Sequence, residues 1–161
     1  MKNTMGIETN KSLNFEKVMS LRKKKKISEV QYRLSELINY ITENGANKCG
    51  PLISATFGAE IINGEQVIDM EFLVAIDKEI RSTKDYSFKP LFLLVNAVYI
   101  RYIGDPRLIE NAYNNLNSFI SQNNFQPITA VYNINLTEEE KLDEGKEHIM
   151  DIYIGMNPNL P

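Results

Sequence analysis

Cysteine and histidine are almost missing from this chain of 161 residues, which holds one of each, Cys49 and His148. A single cysteine excludes a disulfide within the chain and suits a reducing compartment, so a cytoplasmic location is expected. Two such residues cannot supply the four ligands of a zinc site, and no metal or other cofactor is expected. A Cys–His nucleophile pair would need a third group to orient the histidine, and none is recognisable. A large excess of either charge is also absent, with 18 basic residues against 21 acidic ones. The net charge is -3, without the basic surplus of a general nucleic-acid binder. No apolar run nears the roughly 20 residues that span a bilayer. The opening "MKNTMGIETNKSLNF" lacks the apolar stretch of a signal peptide. Neither nucleic acid nor membrane insertion is expected.

What is present is ordinary for a globular protein: 43% hydrophobic and 24% charged residues. The length allows one compact domain with a real core. One local excess is basic, Arg22 followed by Lys23, Lys24, Lys25 and Lys26. Five like charges repel and prefer water, so the run reads as a solvated strand end or turn.

The second half of the chain is clearest. "KPLFLLVNAVYIRYI" is rich in β-branched and aromatic residues and predicts a strand. "GDPR" breaks it, with Asp105 as N-cap and Pro106 at the first helical position. Leu108, Ile109, Ala112, Tyr113, Leu116, Phe119 and Ile120 then recur at helical spacing up to Gln122. Asn123 and Asn124 can end that helix. "PITAVYNINL" predicts a strand with Ile128, Ala130 and Tyr132 inward, "TEEEKLDEGKE" a charged loop, and "HIMDIYIGM" a last strand.

The first half follows the same order. "LNFEKVMSLR" predicts a strand and "KKKK" a turn. Ser28 could cap a helix burying Leu34, Leu37, Ile38 and Ile41, and Gly45 would stop it. "GPLISATFGAEI" and "VIDMEFLVAI" flank Asn63-Gly64, a strong hairpin signal. Side by side, Arg22 matches Arg101, and Leu37, Tyr40, Ile41 and Asn44 match Leu116, Phe119, Ile120 and Asn123. Pro51 matches Pro127, and Met70-Glu71 match Met150-Asp151. The expected fold is therefore α+β, a duplicated β-α-β-β unit with antiparallel sheet. Its expected bounds are a flexible lead at 1–12, one domain at 13–156 with halves at about 13–77 and 90–156, and a tail at 157–161. Residues 78–90 are polar enough for a surface crossover. A groove between the repeats would be a natural ligand site.

The stretch "AVYIRYIGDPRLIENAYNNLNSFISQNNFQPITAVYNI" resembles the second half of GyrI-like domains, the effector-binding domains of bacterial transcription activators. "VIDMEFLVAI" is similar to their mid-chain strand and "HIMDIYIGM" to their final one, so the likeness covers roughly residues 13 to 156. Drug-binding members carry a buried glutamate two positions before the tyrosine of one strand. That position is Ala130 here, ahead of Tyr132, which argues against cation sensing and catalysis unless Glu71 or Asp151 substitutes. Both acids are expected on the outer face of a strand. Only a dozen polar residues precede the first strand, so a stand-alone binding domain without a DNA-binding module is expected.

Among stand-alone members the chain resembles the EsaE-like chaperones of type VII secretion. That resemblance implies a non-enzymatic adaptor that holds a secreted toxin by its helical targeting region and delivers it to the membrane secretion ATPase. The alternative is a sensor or scavenger of a small hydrophobic ligand. Tyr99, Tyr102, Tyr132 and Tyr153, with Glu71 and Asp151, are the candidate binding residues. Tyr113 and Tyr132 read rather as core residues with their hydroxyls satisfied, and Tyr102, beside the turn, is the better surface candidate.

Overall fold

The computed structural model describes residues 6–136 and 147–159. The charged loop expected at 137–147 falls, but for Glu147, outside them. The elements are β1 (Glu8–Lys26), α1 (Val30–Glu43), β2 (Lys48–Ile62), β3 (Glu65–Ile76), β4 (Tyr86–Gly104), α2 (Glu110–Gln122), β5 (Pro127–Asn135) and β6 (His148–Met156). A 3-10 turn precedes each helix. The chain forms two compact units, Asn14–Leu93 and Leu94–Pro161 with Met1–Leu13.

In the first unit, β3 lies between β1 and β2, antiparallel to both. Asn63 and Gly64 sit at φ 53° and 78°, so a two-residue loop joins Ile62 to Glu65. Positive φ at both positions twists the turn the way the strands twist, which is why Asn-Gly works there. Helix α1 buries Leu37 and Ile41 against Met19 and Leu21 of β1 and Phe72, Val74 and Ile76 of β3. Alternation along the strands puts these residues on one face of the sheet.

The second unit repeats the plan. Strand β6 lies between β4 and β5, antiparallel to both. Helix α2 packs Ala112, Leu116, Phe119 and Ile120 on Val98, Ile100, Ile152 and Ile154.

The two helices also stop in the same way. Gly45 N–H donates to the Thr42 carbonyl and Ala46 N–H to that of Ile41. Asn124 N–H donates to Ser121 and Phe125 N–H to Ile120. Both are Schellman ends, which need a left-handed residue; Gly45 supplies φ 82° and Asn124 φ 57°. The side-chain amides of Asn44 and Asn123 donate to the carbonyls of Tyr40 and Phe119, each 2.8 Å away. The duplication is thus visible at single hydrogen bonds.

Several expectations are corrected. Lys23 to Lys26 form no turn but extend β1, paired with Met70 to Val67 of β3. The repulsion that argued for a turn is relieved across the sheet, where Arg22 meets Asp69, Lys24 meets Glu60 and Lys26 meets Glu65. Lys25 points to the core side and is only 3% exposed. Ser28 caps no helix; its hydroxyl donates to Glu65. Strand β1 begins at Glu8, inside the expected lead, and β4 begins at Tyr86, inside the expected crossover. Ile128, expected inward, is 58% exposed near the start of β5. By contrast, Asp105 accepts a hydrogen bond from Arg107 N–H with Pro106 at the first helical position, as expected.

Candidate functional site

The site lies on the strand face opposite helix α2, where Tyr153 is 9% exposed. Register places Tyr99 of β4 opposite Tyr153 of β6, and Tyr153 opposite Tyr132 of β5. Directly opposite residues share a face, so three tyrosines form one row across three strands. The Tyr99 and Tyr153 rings lie 4.8 Å apart with planes at 37°. Lys11 Nζ stands 5.9 Å from the Tyr99 ring centroid.

The next row on this face holds Arg101, Asp151 and Ile134. Asp151 is 7% exposed. It accepts from Arg101 Nε at 2.8 Å and Nη2 at 3.1 Å, and from the Tyr99 hydroxyl at 2.9 Å. A planar guanidinium matches a carboxylate at two points, which fixes orientation as well as charge. Burial, and then the hydrogen bond to Asp151 and its negative charge, push the Tyr99 hydroxyl up to about 12. Tyr99 is therefore a proton donor, not a nucleophile, at neutral pH. Burial also raises Tyr153, with Asp151 adding to the effect. Arg101 is pushed up by its bonds to Asp151.

The matched rows of the first unit are Ser20, Leu73 and Ile53, then Arg22, Glu71 and Ala55. Glu71 is 6% exposed. Its Oε2 accepts from the Ser20 hydroxyl at 2.5 Å and from Lys89 Nζ at 2.8 Å. Arg22, although opposite Glu71, turns to Asp69 and lies 3.7 Å from the Phe57 ring centroid. Each unit thus keeps a central-strand carboxylate and a hydroxyl that donates to it, but only the second keeps the aromatic row. An open pocket of about 260 Å³ in the first unit is lined by Lys24, Gly58, Ala59, Glu60, Val67 and Asp69, away from Glu71.

Glu71 and Asp151 were expected on outer strand faces. Both are buried, because the acids carry their own hydroxyl and cationic partners, which offsets the cost of leaving water. Tyr99, Tyr132, Tyr153 and Asp151 come together. Glu71 belongs to the matched place in the other unit. Tyr102, expected at the surface, is half-buried against the α2 core, and its hydroxyl donates to the Asp105 carbonyl. Tyr113 is half-buried and donates to Asn133 Oδ1 at 2.9 Å. Ser20, Lys89 and Arg101 did not stand out as site residues; the signal for Arg101 was its spacing, Tyr-x-Arg facing Asp-x-Tyr. Among the described residues, no group of three or more His, Cys, Asp and Glu could hold a metal ion. Nor is any helix there long and apolar enough to cross a membrane.

No protein-family model matches the chain, and no curated protein does. Solved structures do. EcmrR in its complex with DNA aligns at TM-score 0.72 with 15% identity, over 95% of this chain but only 58% of EcmrR, so the chain spans little more than half of that protein. The EcmrR C-terminal domain aligns at TM-score 0.69 with 12% identity, over 94% of this chain and 98% of the domain. A hydrolase from Listeria innocua aligns at TM-score 0.63 with 12% identity, over 95% and 92% of the two chains. Identities this low speak for the fold alone, a mixed α+β fold with antiparallel strands and two helices of the GyrI-like kind.

Proposed function

We propose that this chain is a non-enzymatic binding domain for a small, largely hydrophobic organic molecule, with the tyrosine row of the second unit as its contact surface. The observation that carries the reading is the alignment of Tyr99, Tyr153 and Tyr132 across three strands, one row from a buried Asp151–Arg101 pair. Aromatic rings supply large contact area at low entropic cost, and a few fixed polar groups set a ligand's orientation. Chemistry is disfavoured because both carboxylates are already engaged. Asp151 has Arg101 and Tyr99, and Glu71 has Lys89 and Ser20, so neither is placed as a free base. A neutral hydrophobic dye should bind the wild-type chain and lose at least tenfold in affinity on Tyr153→Ala. Turnover of an ester or epoxide, abolished by Asp151→Asn or Glu71→Gln, would replace this reading with an enzymatic one.

A second reading is the toxin-holding secretion adaptor. Leu91 and Leu93, alternate residues of β4, are 49% and 54% exposed, which favours a protein partner. Co-purification with the product of a neighbouring gene, lost on Leu93→Asp, would support it.

A further inference from the structure

Beyond the Arg101–Asp151 row, the same face of the second unit carries a third row. Ile103 of β4 lies opposite Ile149 of β6, and Leu136 N–H, just past β5, donates to the Ile149 carbonyl at 2.9 Å. Alternation keeps the three on the side of Tyr99, Arg101 and Asp151. They are 56%, 36% and 40% exposed in that order, Ile103, Ile149, Leu136. The duplication supplies an internal comparison. Ile103 and Ile149 match Lys24 and Asp69 of the first unit, and Leu136 matches Gly58, which faces Asp69 there. One copy places charge in this outer row, where side chains meet water. The other places branched aliphatic side chains there, contiguous across three strands, and a contiguous exposed apolar row marks a contact surface where scattered residues would not.

Arg101 connects this row to the tyrosines. Its side chain is about half-exposed. A guanidinium carries five N–H groups, and the two-point bond to Asp151 uses two of them. Asp151 already balances its charge, so its exposed edge suits an uncharged acceptor, such as a carbonyl, better than a second carboxylate. At about 3.4 Å per residue, successive rows on one face stand about 7 Å apart, which puts the tyrosine row and the aliphatic row about 14 Å from each other.

We propose that the ligand is an elongated amphipathic molecule, with an aromatic end at the tyrosines, a carbonyl facing Arg101 and an aliphatic chain laid on Ile103, Ile149 and Leu136. The inference rests on the tyrosine row as the contact surface and adds the chain, which that row alone does not require. A fully buried methylene raises affinity about fourfold; one laid on an open row is covered on one side and should add about twofold.

The test is calorimetric titration of the full chain with N-phenylacetamide and N-phenylhexanamide, which share the ring and the carbonyl and differ by four methylenes. The wild type should bind the longer amide at least about tenfold more tightly. Ile103→Lys/Ile149→Asp, which imports the first unit's residues into the row, should bring that ratio close to one, with the fold retained by circular dichroism. Leu136→Ser should lower the ratio several-fold and serves as a second variant should the double one disturb folding. Equal affinity of the wild type for both amides, or a ratio unchanged in the variants, would overturn the proposal and leave the tyrosine row standing. Binding of neither amide would remove the tyrosine-row reading itself, and this inference with it.

Discussion

Arg101 holds Asp151 at two points, 2.8 and 3.1 Å, from the directly opposite position on the neighbouring strand. Arg22 occupies the matched position opposite Glu71 yet pairs with Asp69 instead. Arg101→Met should therefore cost about 1–3 kcal/mol, since it strands a buried carboxylate, the figure being reduced because the guanidinium is half-exposed. Arg22→Met should cost no more than about 1 kcal/mol, as for other exposed pairs. Urea denaturation of the two variants checks the difference.

The helix ends give a prediction with two signs. Gly45→Ala should destabilise by about 1 kcal/mol, because φ 82° strains a residue with a Cβ. A new Cβ would also stand 3.0 Å from Lys78 Nζ. Asn124→Gly should be neutral or slightly stabilising, as φ 57° suits glycine better than asparagine. Paired thermal melts read both.

Lys25 sets a pH dependence. Its folded-state value, about 8, lies below the ordinary 10.5, so the unfolded chain binds more protons between those limits. Stability should rise from pH 8 to 10.5, by at most about 3 kcal/mol from this residue. Lys25→Met should remove that rise and be more stable than wild type at pH 7.

Tyr99 acts in the opposite direction at higher pH. Its hydroxyl is held up to about 12, so the unfolded chain ionises first and this residue's share of stability is lost from about pH 10 to 12. In the folded protein, ultraviolet titration should show several tyrosines ionising late, Tyr99 among the last, and Tyr99→Phe should remove one phenol from that late step.

Local chemistry was legible in the sequence. Asn63-Gly64, Asp105-Pro106, Gly45 and Asn124 each declare a turn or cap by their own backbone preferences, and the helical spacing of Leu37, Ile41, Leu116 and Phe119 declares the buried faces. What could not be read depends on register and on distant partners. Lys25 looks like its exposed neighbours until α1 is laid over that face of β1. Glu71 looks like a surface acid until Ser20 and Lys89, 51 and 18 residues away, are brought to it. Tyr132, Tyr153 and Tyr99 were each candidates, but only the pairing of β5, β6 and β4 makes them a row. Tyr102 stands beside a turn in the sequence, yet it packs against the core under α2.

The most direct measurement is a titration of the wild-type chain and a Tyr132→Ala/Tyr153→Ala double variant with a neutral hydrophobic ligand, followed by tyrosine emission, which no tryptophan obscures. The account expects saturable binding by the wild type and a loss of at least tenfold in the variant, with the fold retained by circular dichroism. No binding by the wild type, or equal binding by both chains, would contradict it.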